Sequence, residues 1–380
     1  MVYYIPPVNL LGAGCLAELE GPLKKIGCKK ALLVSDRFLM ESGAVERVEE
    51  ILHKVEMDFA VFCDVNPNPT VGNVEQGLEV LKKEACDCVV SVGGGSPQDC
   101  AKAIAVLATN GGCVNDYEGV NKSTCKSLPI IAVATTAGTS AEVTINYVIT
   151  DENRKVKMIM VDTNSLASIT VNDPELMLSK PGPLTAATGM DALTHAIEAV
   201  VANGAMDVTD ATALYAIKQI FQYLPAAVKD GNDLQAREQM CYACFLNGIA
   251  FSNAGLGNVH AMAHQLGGLY NLPHGVCNAM LLSVVEEANA ETAPEKFRVI
   301  AQTIGFDVSG KSDKECVDFV IDSIKKLAKE VGIPSSLKEV GVDNPDFELL
   351  AENAMKDACA GANPVFFDKE KLIELFQKIA

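Results

Sequence analysis

Asp191 and His195 stand four residues apart in MDALTHAIEAVVA, and His260 and His264 repeat that spacing in NVHAMAHQL. Both segments read as apolar helices, so each pair leaves one face of its helix. His274 follows Leu272-Pro273, which reads as a turn opening a further helix. Four of the five histidines fall in this stretch, and the fifth, His53, stands alone. Three neutral imidazoles and one carboxylate suit a divalent transition metal such as Fe, Zn or Ni, because the imidazoles donate well and the carboxylate offsets part of the charge. Such an ion is catalytic only if its geometry leaves room for a further ligand. The competing reading is a set of satisfied core histidines, and spacing by itself leaves both open.

The elements that must position these residues differ along the chain. At 380 residues two domains are expected. In the first half short apolar runs alternate with amphipathic segments: ALLVSD, FAVFCDV, CDCVVSV and LPIIAVATT read as strands, and AVERVEEILHKV, VEQGLEVLKKEA and CAKAIAVLAT as helices. That rhythm predicts a parallel sheet covered by helices on both faces. Pro and Gly cluster at Leu178–Pro183, and the pattern after them is helical almost throughout. The expected organisation is an α/β dinucleotide-binding domain over residues 1–181 and an all-α metal-binding domain over 182–380.

Ligands of parallel sheets sit at the carboxyl ends of the strands, so the loops there carry information. In Gly93-Gly94-Gly95-Ser96-Pro97-Gln98-Asp99 the glycines permit close backbone approach. Ser96 reads as an N-cap, Pro97 as the first helical residue and Asp99 as the acid of a capping box. The helix start offers free N–H groups to a pyrophosphate. Asp99 has two readings, cap or ligand neighbour, and Lys102 either neutralises a phosphate or pairs with Asp99. Asp36, ending ALLVSD, is placed to grip ribose hydroxyls and repel a 2′-phosphate. Thr135, Thr136 and Thr139, around Gly138, can hydrogen-bond phosphate or nicotinamide. A hairpin follows in VTINYVITDENRKVKMIMVD, with DEN as its turn.

Composition narrows the class. Apolar residues make up 49% and charged residues 21%, as in a globular protein. A net charge of −18 argues against nucleic acid. No apolar run has the length of a membrane span, and the N-terminus does not read as a signal peptide. Thirteen scattered cysteines suit free thiols in a cytoplasm. Cys241 and Cys244, three apart in an apolar helical run, read as core rather than as a redox or zinc motif.

GGGSPQD, TTAGTSAEVTINYVITDE, TGMDALTHAIEA, GLGNVHAMAHQLGGLYNLPHGVCNA and the late CAGANP together resemble the iron-dependent (group III) alcohol dehydrogenase family, and their order matches too. The resemblance implies Fe(II), with Zn in some relatives, held by Asp191, His195, His260 and His274 in a cleft between the domains. It places His264 near the metal but not on it. It implies NAD binding by Asp36, Asn68, Gly94, Gly95, Ser96, Asp99, Thr135, Thr136, Thr139, Asn146 and Lys157, and a substrate pocket near Asn146, Phe251 and Cys359. A homodimer is what the resemblance suggests.

The expected reaction is hydride transfer between NAD(H) and a short aldehyde, primary alcohol or diol, with lactaldehyde and 1,2-propanediol first. Members acting on 1,3-propanediol, glycerol or simple alcohols are the alternatives. His264 is the expected proton relay, since imidazole titrates near neutrality; its other reading is a residue that orients the ligands. The Asp/His cluster alone also fits a metal-dependent hydrolase or lyase, or a binding protein without catalysis. The Gly-rich and threonine loops favour a dinucleotide.

Overall fold

The computed structural model describes residues 2–178 and 180–380. Met1, and Ser179 within the Pro/Gly-rich boundary stretch, lie outside the described residues. The chain divides into two units, Met1–Leu178 and Ser179–Ala380.

The first unit holds β1 (Val8–Leu11), β2 (Lys30–Val34), β3 (Asp58–Phe62), β4 (Cys88–Gly93), β5 (Gly119–Val120), β6 (Ile130–Ala134), β7 (Asn146–Asp151), β8 (Val156–Val161) and β9 (Ile169–Asn172). Its helices are α1 (Glu20–Ile26), α2 (Arg37–Glu41), α3 (Ala44–Lys54), α4 (Val71–Lys83) and α5 (Gly95–Asn110). Six strands form one parallel sheet in the order β1-β9-β6-β4-β2-β3. Consecutive apolar residues sort onto its two faces. Leu32, Val34, Val89, Ile130 and Ala132 join the core on one side, whereas Ala31, Leu33, Val90, Ile131 and Val133 join the core on the other. Burial on both sides is why these strands read as continuous apolar runs.

From β2 the chain passes to β3 on one side, and from β4 toward β6 and β9 on the other. The loops after β2 and β4 therefore diverge, which is where such sheets hold ligands. The hairpin pairs β7 with β8 antiparallel, and β5 lies beside β8. Its turn spans 152–155 rather than DEN, because the Asp151 carboxylate accepts the N–H groups of Asn153 and Arg154 at 3.0 and 3.1 Å. β1, β5 and β9 are too short, at two to four residues, to stand out as a sequence pattern.

The second unit is helical: α6 (Gly182–Val201), α7 (Asp207–Lys229), α8 (Leu234–Ala254), α9 (Asn258–Tyr270), α10 (His274–Asn289), α11 (Pro294–Thr303), α12 (Asp313–Glu330), α13 (Phe347–Ala354) and α14 (Lys369–Gln377). α6 is nearly wholly buried, so it forms the centre of its unit, packed by α7, α8 and α10. Cys241 and Cys244 are buried on α8, and all thirteen cysteines are free thiols. No helix among the described residues is long and apolar enough to cross a membrane.

Candidate metal centre and cofactor loops

A helix buried all round must satisfy its polar side chains internally. Besides Thr185 and Thr194, α6 carries three titratable side chains that are almost fully buried on one face: Asp191, His195 and Glu198. α9 brings His260 and His264, and α10 begins at His274. Gly275 is what lets α10 approach. A Cβ there would lie 2.3 Å from the Ala187 carbonyl oxygen of α6.

The donor atoms converge. Asp191 Oδ1 lies 3.9 Å from His260 Nε2 and 3.6 Å from His274 Nε2, and Asp191 Oδ2 lies 4.0 Å from His195 Nδ1. The Asn278 amide nitrogen sits 2.7 Å from Asp191 Oδ1 and 3.1 Å from each of His260 Nε2 and His274 Nε2. A carboxylate oxygen and two imidazole nitrogens thus crowd one amide nitrogen that has only two N–H bonds, a convergence of donor atoms that a cation also satisfies. His195 Nδ1 is buried without a hydrogen-bond partner among the described residues. Burial pushes the Asp191 carboxyl up and the His195 imidazole down, and holds His260 well below the usual imidazole value. Neutral imidazoles with free lone pairs beside a carboxylate are what a borderline divalent metal needs. The residues present fit the ion expected from the sequence.

The imidazoles are fixed from behind. His260 Nδ1 hydrogen-bonds Glu198 Oε2. His195 stacks on Phe251, with centroids 4.2 Å apart and planes at 12°. Phe251 is buried on α8 against this imidazole. His264 stacks on His274 at 5.2 Å, but its ligand atoms group with Asp357 and Cys359 rather than with Asp191, His195 and His260. Its Nδ1 lies 2.9 Å from Asp357 Oδ2, and Asp357 Oδ1 accepts the Cys359 N–H at 2.9 Å. Burial, with the Asp357 charge beside it, holds the Cys359 thiol well above its usual value, so it stays protonated.

In the first unit Asp36, the glycine loop and the threonine loop follow β2, β4 and β6, three adjacent strands. Asp36 caps α2, accepting the Leu39 N–H at 2.9 Å. The glycine and threonine loops interlock: a Cβ on Gly94 would lie 2.9 Å from Thr136 Oγ1, and one on Gly95 would lie 3.0 Å from Thr139 Cγ2. Thr135 donates its N–H to Gly93 O at 3.1 Å. Ser96 Oγ accepts the Asn68 N–H at 3.2 Å, and Lys157 Nζ donates to Asn68 Oδ1 at 2.7 Å.

The expected cap of α5 is corrected. The N-cap is Gly94, the helix starts at Gly95, and no side chain caps it. Ser96 is already helical, and the Asp99 carboxylate instead accepts the Val148 N–H of β7 at 3.1 Å. Burial pushes Asp99 up to about 7. Lys102 makes no direct ion pair with Asp99 among the described residues, although each charge acts on the other. It is buried and donates to Thr144 O at 2.6 Å, Thr144 Oγ1 at 3.1 Å and Asn146 O at 2.8 Å, so it anchors the strand bearing Asn146. Asn146 Oδ1 is buried with no partner among the described residues.

Glu198, Asn278 and Asp357 were not singled out from the sequence. Glu198 lies three residues past His195 and Asn278 four past His274, so helical spacing could have found both. Asp357 comes from a remote segment and left no local signal.

Comparison with known proteins places these motifs among relatives. Residues 6–174 match the family described as iron-containing alcohol dehydrogenase, and 185–380 match the C-terminal part of the Fe-containing alcohol dehydrogenase family. The chain is 47% identical to NAD-dependent methanol dehydrogenase of Bacillus methanolicus, over 95% of each chain. It is 47% identical to 1,3-propanediol dehydrogenase of Citrobacter freundii, over 99% of this chain and 98% of the relative. Lactaldehyde reductase of Escherichia coli is 41% identical over 96% of each chain. A crystal structure of a 1,3-propanediol oxidoreductase superimposes with a TM-score of 0.97 at 45% identity, covering 100% of this chain and 99% of that one.

Proposed function

This chain belongs to the iron-containing alcohol dehydrogenase family, and from that premise we propose that it interconverts short aldehydes and their primary alcohols or diols with NAD(H). The reading places a divalent metal on Asp191, His195, His260 and His274. Iron is the metal in the family's description, and zinc suits the same donors. The convergence of Asp191 Oδ1, His260 Nε2 and His274 Nε2 within 3.1 Å of one amide nitrogen carries this reading.

When bound, the metal supplies Lewis-acid polarisation of the substrate oxygen, and the nicotinamide gives or takes the hydride. The rest falls to the chain's own residues. Asp191 offsets the charge of the site, and Glu198 and Phe251 hold two imidazoles in orientation. His264 moves the proton of the alcohol oxygen. Asp357 occupies its Nδ1, so Nε2 is the nitrogen that exchanges. Cys359, kept as a neutral thiol, and Phe251 give the pocket uncharged walls suited to a short substrate.

For the cofactor, the first turn of α5, free of any side-chain cap, suits the pyrophosphate through Gly94, Gly95 and Ser96. Thr135, Thr136, Thr139, Asn68 and Lys157 frame that loop, and Asp99 and Lys102 brace the strand behind it. Asn146, with its unpartnered Oδ1, is proposed for cofactor and substrate recognition. Asp36 favours NAD over NADP by repelling a 2′-phosphate. A cytoplasmic homodimer belongs to the same reading.

Lactaldehyde with 1,2-propanediol remains a candidate pair. The 47% identities widen the range to 1,3-propanediol and methanol. Initial rates of NADH oxidation over a panel of short aldehydes test the proposal. Turnover of several of them supports it; no turnover of any short aldehyde by metal-loaded protein would overturn it.

A further inference from the structure

Glu198 is 1% exposed, and its two carboxyl oxygens meet the start of α9 and the His260 imidazole. Oε1 accepts the backbone N–H groups of Val259 at 2.8 Å and His260 at 3.3 Å, in the first turn of α9. Oε2 faces His260 Nδ1. α9 has no cap from its own N-cap residue, Gly257. A Cβ there would lie 3.0 Å from Glu198 Oε1 and 2.6 Å from Asn363 Oδ1, so glycine is what admits these two acceptors from elsewhere in the chain. Asn363 Oδ1 takes the Asn258 N–H at 3.0 Å. Asn363 and Asn289 also exchange amide hydrogen bonds at 2.8 and 3.1 Å, which fastens the segment after Cys359 to α10.

We propose that Glu198 is a positioning residue: it fixes the tautomer of His260 with the proton on Nδ1, and so sets how tightly the protein holds its metal. The inference rests on the metal-site reading above. A neutral imidazole has one N–H and one lone pair, and the partner of one nitrogen decides which is which. The helix end imposes the direction. With the α9 N–H groups pointing at Oε1, only acceptor chemistry fits on that side, and the macrodipole favours negative charge there. In the ionised carboxylate, which those N–H groups favour, the second oxygen is an acceptor too, so His260 Nδ1 donates to it. That leaves the lone pair on Nε2, the atom facing Asp191 Oδ1 at 3.9 Å.

Glutamine separates this role from helix capping. Its amide accepts on one side only. If its oxygen keeps the backbone N–H groups, its NH2 faces His260 Nδ1. The imidazole proton then moves to Nε2, where a metal needs the lone pair. Aspartate keeps two acceptor oxygens on a shorter stem and therefore rescues in part.

The test uses the full chain, stripped of metal, as wild type, Glu198→Gln and Glu198→Asp. Zn(II) affinity is measured by competition with a chelator, and the nitrogen NMR spectrum of His260 reads its tautomer in the metal-free protein. Glu198→Gln is expected to weaken zinc about 10–100-fold and to move the His260 proton to Nε2, with Glu198→Asp between it and the wild type. Zinc bound as tightly by Glu198→Gln as by the wild type, with the proton still on Nδ1, overturns the proposal. If Glu198→Gln does not fold, the wild-type spectrum decides, and a proton on Nε2 overturns it. Failure of the wild type to bind zinc would strike the metal-site reading instead, and the tautomer would still test Glu198.

Discussion

His264 Nδ1 lies 2.9 Å from Asp357 Oδ2, although 93 residues separate the two in the chain. The contact occupies Nδ1 and leaves Nε2 for the proton transfer proposed for His264. His264→Ala and Asp357→Asn are therefore expected to keep metal content and to lower kcat by about 10²–10⁴-fold and by a smaller factor, respectively. A His264→Ala enzyme with wild-type turnover across pH would remove the relay and leave His264 as an orienting residue.

Cofactor choice is expected to follow the charge of Asp36. This carboxylate also caps α2 through the Leu39 N–H at 2.9 Å, so a glycine variant would change two things at once. Asp36→Ser keeps a good cap and removes the charge. Its kcat/KM for NADPH should rise relative to that for NADH. An unchanged ratio would show that Asp36 is not the discriminator.

Gly275→Ala runs against helix propensity. Alanine favours a helix interior over glycine by up to about 1 kcal/mol. Here its Cβ would lie 2.3 Å from the Ala187 carbonyl oxygen, so α10 must move off α6. Overpacking of this kind costs about 1–3 kcal/mol. It would also carry His274 away from Asp191. A lower Tm together with weaker metal binding is expected; a more stable variant with normal metal content would show that α10 is not seated as described.

Glu142 gives a pH-dependent stability. It is 2% exposed, its Oε1 has no partner among the described residues, and burial pushes its carboxyl from 4.5 up to about 7. Between those values the folded chain binds a proton that the unfolded chain has lost. Stability therefore falls as pH rises from 4.5 to about 7 and falls no further from this group above that. Glu142→Gln should remove the fall, gaining up to about 3 kcal/mol over the wild type above neutrality and little near pH 4. Denaturant midpoints across pH read this directly, and parallel curves for the two proteins would count against it.

The parallel sheet, the helical second half and the grouping of histidines were legible because each rests on a local repeat: apolar runs, helical spacing, His at i and i+4. Part of what escaped was set by distance in sequence. Asp357 and Asn363 reach α9 from beyond residue 350, and no periodicity links them to it. β9 lies inside the sheet but has four residues, too few to show a period. The cap of α5 was misread because the pattern Ser-Pro-x-Asp suits a capping box in isolation. Packing against β7 claimed Asp99, and the glycines let the helix start one residue earlier than Ser96. Glu198 and Asn278 were legible by spacing, but neither residue type advertises itself as a partner of a metal ligand.

The measurement that bears most directly on the central claim is the rate of NADH oxidation with a short aldehyde, followed anaerobically in one preparation before and after metal is restored. The wild type and His260→Ala would be stripped with a chelator, assayed, reloaded with Fe(II) and assayed again. The expected result is turnover only by reloaded wild type, with His260→Ala holding little metal and staying inactive. Equal turnover by stripped and reloaded wild type, or full activity of His260→Ala, would contradict a reaction built on Asp191 and three imidazoles.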